Sequence, residues 1–179
     1  CLITGDMGIG NTTASAAVIA ALTGRAASEV TGRGTGIDDE RLAVKIAVIE
    51  RALERVGSRD PVEVLAEVGG LEIAALVGFI VGGAAARRPV LIDGVIAAAA
   101  LVTAVAIAPE VLPFVIAGHR SVEPGASAVL EHLGLEPMLD LGMRLGEGSG
   151  ACLAVPIVQA AARMLGEMAT FDSAGVTEK

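Results

Sequence analysis

Glu147 stands between Gly146 and Gly148 in "RLGEGSGA", residues 144–151, just ahead of a largely apolar run. A carboxylate in such surroundings loses solvation, which raises its pKa and suits it to general-base work near neutral pH. An exposed loop acid or a helix cap fits the same pattern. A second stretch, "GDMGIGNTT" at residues 5–13, combines glycines, Asp6 and three successive hydrogen-bonding side chains, Asn11, Thr12 and Thr13. It is not a Walker loop, because no Lys follows the glycines. It also departs from the dinucleotide fingerprint, because Thr13 stands where the last Gly or Ala belongs. Its glycines still let backbone N–H groups approach a ligand, and a helix start favours an anion there; a tight turn with a helix cap accounts for this loop equally well.

Further glycine loops, "TGRGTG", "IDGVIA" and "LGEGSGA", each follow a predicted strand or precede a predicted helix. Together they favour one shared pocket at one edge of a sheet. Lys45 has the apolar neighbours Val44 and Ile46, whereas Arg41, Arg51 and Arg55 lie on the outer face of the same predicted helix. It is either a surface lysine or a cation reaching back to the glycine loops. Asp93, at a strand end, and Asp6 could bind a ribose hydroxyl, face a developing positive charge, or cap the next helix. His119 and His132 form no metal-ligand spacing with Cys or Asp, so no metal is predicted.

These residues must be positioned by a chain of 179 residues that is 53% hydrophobic but only 2% aromatic, without Trp or Tyr. The core is therefore expected to be Ala, Val, Leu and Ile, packed as helices against strands. A net charge of -8 argues against nucleic acid, which needs a basic surface to displace its counterions. Any anionic ligand must be held locally. Cys1 and Cys152 are too few for a disulfide framework and read as buried free thiols in a reducing cytoplasm.

Residues 1–4 read as a strand, followed by the glycine loop and a small-residue helix ending at Gly24. Asp38 and Asp39 can cap a helix over about 40–56, in which Leu42, Ile46, Ile49 and Leu53 share a face. Asp60 and Pro61 start another helix, and the Gly- and Ala-rich residues 68–88 permit close helix packing. "PVLID", residues 89–93, reads as a buried parallel strand. Residues 94–118 approach the length of a membrane span, but Pro109, Glu110 and Pro113 divide them into a buried helix and a buried strand. "PFVIAGHRSVEPG" repeats strand, loop and helix, the helix opening near Glu123 and Pro124. A last glycine loop leads to a long helix in which Pro156 marks a kink or a late start. Repeated strand-loop-helix units predict a mostly parallel α/β fold, with ligands bound beyond the carboxyl ends of the strands. The chain lacks an initiator Met and opens inside a predicted strand, so it reads as a fragment.

The chain resembles the nicotinate-nucleotide:dimethylbenzimidazole phosphoribosyltransferases through "GDMGIGNTT", "VGGLEIAALVG", "PVLIDG", "AGHRSVEPG", "LEHLGLEPMLDLGMRLGEGSGA" and "EMATF", nearly its whole length. The resemblance implies a Rossmann-like sheet flanked by helices over residues 1–150, with the C-terminal helical segment 151–179 joining a smaller helical domain. It implies transfer of phosphoribose from nicotinate mononucleotide to 5,6-dimethylbenzimidazole, releasing nicotinate and giving α-ribazole 5'-phosphate for cobalamin assembly. Glu147 would be the catalytic base. Gly8, Gly34, Lys45 and Ser121 match positions around the nucleotide and its phosphate, Met7 and Leu145 positions beside the benzimidazole, and Asp93 with Gly94 a strand-end turn on the nicotinate side. Asp6 stands where some members have Glu, which shortens a secondary acid by a methylene.

The resemblance further implies a cytoplasmic homodimer without metal or tightly bound cofactor, and neither nucleic acid nor membrane as a partner. Family members are longer, so this chain would be their C-terminal half, with the N-terminal part of the benzimidazole pocket elsewhere. A noncatalytic nucleotide-binding module on the same fold is the rival reading. Glu147 between its glycines weighs against it, since a pure binder of an anion needs no acid there.

Overall fold

The computed structural model describes residues 1–176 and is a mixed α/β structure. Strand β1 (Leu2–Ile3) is followed by helices α1 (Thr12–Thr23), α2 (Ala27–Val30), α3 (Asp39–Leu53), α4 (Pro61–Val68) and α5 (Leu71–Ala85). Then come β2 (Val90–Ile92), α6 (Val95–Ile107), a 3-10 turn (Pro109–Phe114), β3 (Val115–Ala117), β4 (His119–Ser121), α7 (Pro124–Leu133), β5 (Leu139–Met143) and α8 (Ser149–Glu167). The strands form two short parallel sheets, one in the order β1-β2-β3 and one pairing β4 with β5. The parallel, helix-flanked sheet expected from the strand-loop-helix repeats is therefore present.

Local signals explain most boundaries. Asp38 accepts a hydrogen bond from Arg41 N (2.8 Å) and opens α3. Asp60 accepts from Val62 N and Glu63 N, with Pro61 at the first helical position of α4. α1 stops at Gly24, whose φ of 72° suits glycine. Of the apolar face predicted for α3, Ile49 is fully buried while Leu42, Ile46 and Leu53 are half-buried.

The core is built from small side chains. Every residue from Val95 to Ala104 of α6 is buried, against α1, α5 and α7. A Cβ on Gly83 of α5 would come within 2.7 Å of the Val90 side chain, so glycine lets that helix lie directly on β2. The long apolar stretch 94–118 is thus a core helix and strand.

Two expectations need correction, and one open choice is narrowed. Cys1 and Cys152 are both exposed, not buried; Cys152 lies on α8 off the face that buries Gly150, Ala151 and Ala154. Residues 139–143 form a strand where the sequence predicts only a loop ahead of α8. Of the two readings of Pro156, a kink or a late start of α8, the late start is excluded, because α8 begins at Ser149 and runs through Pro156. Among the described residues α8 is the one helix long and apolar enough to cross a membrane by length and composition, with a mean hydropathy of 1.3.

Candidate active site

Four chain segments meet at the carboxyl edge of the strands around a cavity of about 1010 Å³. Residues 6–13 form one wall, residues 33–37 with Lys45 another, Val95 and Ile96 the floor, and residues 143–149 the remaining side. Of the residues singled out in the sequence, Asp6, Met7, Gly8, Gly34, Lys45, Leu145 and Glu147 line this space.

The first glycine loop is shaped by its own acid. Asp6 Oδ1 accepts from Gly8 N (2.8 Å) and from Asn11 Nδ2 (2.7 Å), closing a tight turn. Asn11 therefore gives its side chain to Asp6 and makes no side-chain cap on α1. The first amides of α1 stay open toward the cavity, where the helix dipole favours an anion.

Lys45 settles the choice that its apolar neighbours left open, because its Nζ donates to Thr12 Oγ1 (2.8 Å) and to Gly32 O (3.0 Å). The cation points into the loop region and ties α3 to the start of α1. Burial pushes its pKa below the usual lysine value, against the opposing pull of Glu123. Glu123 is itself only 6% exposed, and its Oε1 accepts from Gly34 N (3.0 Å). In that loop Gly34 has φ of +54°, a conformation side chains resist. Arg33 pairs with Asp39 and donates to Ile37 O (2.9 Å), bracing the outer rim.

Glu147 lies at the mouth of the cavity and its side chain is exposed. The desolvation expected from its glycine neighbours is therefore not supplied by these residues, since glycines cover nothing. Its backbone, by contrast, is closely held. Asp6 N donates to Gly146 O (2.9 Å), and a Cβ on Gly5 would sit 2.7 Å from the Glu147 carbonyl carbon. Met7 and Leu145, 80% and 63% exposed, stand at the same mouth as apolar side chains without cover.

Asp93, Gly94 and Ser121 are placed behind the cavity wall, not on it. Asp93 is 3% exposed; its Oδ2 accepts from Gly148 N (2.9 Å) and its Oδ1 from Ala151 N (2.8 Å), so a carboxylate from the end of β2 caps α8. His119 Nε2 lies 3.2 Å from Asp93 Oδ1. Burial alone would raise the Asp93 pKa, but His119 and the two amides outweigh it and hold it below the ordinary value; the same carboxylate raises His119 against its own burial. Gly94 permits close approach, since a Cβ there would be 2.7 Å from Gly146 Cα. Ser121 is buried, and its Oγ accepts from Glu123 N (3.3 Å). Sequence reasoning did not single out Arg33, Glu123 or His119 as contributors to this site; Glu123 read simply as a helix start, and its partner Gly34 is 89 residues away.

A family model described as "Phosphoribosyltransferase" matches residues 1–176. The chain belongs to this family. It is 62% identical over 180 residues to the nicotinate-nucleotide–dimethylbenzimidazole phosphoribosyltransferase of Chloroflexus aurantiacus, covering 99% of this chain and 51% of that protein. The relative of the same name from Desulforudis audaxviator is 58% identical over 177 residues, covering 98% of this chain and 50% of that protein. Among solved structures, CobT from Thermus thermophilus superposes with a TM-score of 0.94 at 49% identity, over 99% of this chain and 54% of that one. The chain thus spans about half the length of the relatives it matches.

Proposed function

We propose that this chain is the nucleotide-cradling and base-bearing half of a phosphoribosyltransferase that moves phosphoribose from nicotinate mononucleotide to 5,6-dimethylbenzimidazole. The observation that carries the reading is the convergence of open helix amides, Lys45 and Glu147 on one cavity. The names of the relatives support the choice of substrates.

In this reading the phosphate of the nucleotide sits against the first turn of α1 and the Gly34 loop, with Lys45 supplying the cation. The flat base lies between Met7 and Leu145. One benzimidazole nitrogen attacks C1' of the ribose as the bond from C1' to the pyridine nitrogen breaks, and nicotinate leaves with that electron pair. Glu147 takes the N–H proton from the other benzimidazole nitrogen, so the product carries no added charge on its ring. A positioned base of this kind contributes roughly 10²- to 10⁴-fold to such a step. Asp6 is the secondary acid, and its carboxylate acts first on its own loop. Cover for Glu147, Met7 and Leu145 comes from the remaining half of the protein, whose presence also desolvates the base. The homodimer and the cytoplasmic location expected for the family belong to the same proposal.

The test is nicotinate release from nicotinate mononucleotide by the full-length protein, with and without dimethylbenzimidazole. Release that depends on the added base is expected. A protein that binds the nucleotide and releases nothing would instead be the noncatalytic module. The 179 residues by themselves should bind nucleotide weakly and turn over little or nothing; full activity from them would overturn the division of labour.

A further inference from the structure

Behind the cavity lies a buried ionisable pair that the proposed reaction does not use. Asp93 and His119 are each 3% exposed, at the carboxyl end of β2 and the start of β4. The two Asp93 oxygens hold Gly148 N and Ala151 N, the residue after Glu147 and the third residue of α8. Glu147 is thereby fixed from both sides, by Asp6 N on Gly146 O and by Asp93 on Gly148 N.

That loop needs anchoring. Gly142, Gly146 and Gly148 all adopt positive φ, of 64°, 77° and 90°, and glycine there has the widest choice of alternatives. The Asp93 carboxylate needs anchoring too. Beside the pair is a gap of about 10 Å³ lined by apolar residues such as Ala98, Ala117, Ala126 and Leu130, which offer the carboxylate no hydrogen bond. On that side the His119 imidazole, 3.2 Å away, is the polar group facing it. His119 also meets α8 directly, since a Cβ on Gly150 would fall 2.1 Å from its Cδ2. A buried carboxylate stripped of such a partner is costly and turns to whatever donor it can reach.

We propose that His119, acting through Asp93, is a positioning residue that sets the loop carrying Glu147 in its working place. The proposal rests on the reaction proposed above and adds a residue to it that touches neither substrate. A misplacement of about 1 Å at a reacting group can cost up to about 10²-fold, whereas nucleotide binding by α1, Gly34 and Lys45 lies on the opposite wall.

The experiment is a double-mutant cycle in the full-length protein, reading kcat and KM for nicotinate mononucleotide with saturating dimethylbenzimidazole. His119→Ala is expected to lower kcat about tenfold or more while KM stays within about threefold, and His119→Gln, which keeps a polar N–H group on that side of Asp93, should restore most of the rate. In the Glu147→Gln background His119→Ala should cost less than about twofold, because the group it positions is gone. Equal losses in both backgrounds, or a rise in KM at unchanged kcat, would overturn the proposal. Should His119→Ala fail to fold, His119→Gln carries the cycle with a smaller kcat loss that must likewise vanish beside Glu147→Gln. Amide hydrogen exchange of Gly148 and Ala151 separates this idea from the reaction itself. Exchange that quickens at those amides in the His119 variants supports the anchor even if no nicotinate is released, and unchanged exchange there sinks it even if the enzyme is active.

Discussion

α6 and α8 are both apolar and both begin at the ligand edge, yet they meet opposite fates. α6 is buried along ten consecutive residues from Val95 to Ala104, enclosed by other helices and the sheet. α8 buries only Gly150, Ala151 and Ala154, leaving Leu153 and Leu165 53% and 91% exposed, and Phe171 beyond it 72% exposed. The difference separates a finished half of the site from an unfinished one. The wall made by α1, Gly34 and Lys45 rests on the α6 core and is closed by contacts within these residues. The wall made by Leu145 and Glu147 rests on α8 and has its backbone in place but no cover. A chain that spans about half the length of its relatives would leave an open face of this kind.

The largest effect that could break this contrast is on stability. Leu101→Ala, in the fully buried α6, should cost about 2–5 kcal/mol in denaturant unfolding of the 179-residue chain, and Leu165→Ala no more than about 0.5 kcal/mol. Comparable losses would mean that α8 is as well packed as α6. The contrast sharpens if Leu165→Ala costs above about 1 kcal/mol in the full-length protein, where the face is expected to be covered.

Next in size is Lys45→Met, which removes the cation held by Thr12 and Gly32. A hydrogen bond to a charged group is worth about 1.5–3 kcal/mol, so KM for nicotinate mononucleotide should rise roughly 10- to 100-fold in full-length enzyme. KM for dimethylbenzimidazole should barely move, because that ligand is assigned to the other wall.

One substitution type should change sign between the two regions. Gly34→Ala places a Cβ 3.1 Å from Thr12 Oγ1 at a φ of +54°, and should destabilise the chain by about 1–2 kcal/mol. Gly166→Ala, near the end of α8 with nothing within 4 Å, should stabilise it by about 0.5 kcal/mol. Thermal melting of the two variants reads both.

The smallest effect concerns pH and joins the two walls. Asp93 is held below its ordinary value, so its contribution is complete above about pH 3.9 and is lost as pH falls through its lowered folded value. His119 is raised, so its contribution is complete below about pH 6.5 and is lost as pH rises through its raised folded value. The stability gap between the chain and its His119→Gln variant should be widest between those two values and narrow above them. A gap that goes on widening as pH rises above about 6.5 would contradict the pairing.

Much of the fold was legible because the punctuation is strong. Asp60 with Pro61, Gly24, and the short β-branched run at 90–92 each act locally, and the structure obeys them. β5 was not legible: "LDLGM" carries no β-branched residue and ends beside Gly142, whose φ is +64°, while its pairing with β4 is nonlocal. In the site, the glycine loops announced the cavity. The exposure of Glu147 could not be read from its neighbours, because desolvation depends on what packs over a loop and not on the residues within it. Asp93 and His119 were visible as ionisable residues, but their pairing, between positions far apart in the chain, exists only once the ends of β2 and β4 lie side by side at one edge.

The most direct test is base-dependent nicotinate release by the full-length protein and its Glu147→Gln variant, each at saturating nicotinate mononucleotide and dimethylbenzimidazole. If Glu147 is the proton acceptor, kcat falls about 100-fold or more in the variant, with the nucleotide still bound. Release unaffected by the substitution would contradict that role and move the proton acceptor elsewhere on the cavity wall, with Asp6 the next carboxylate to replace.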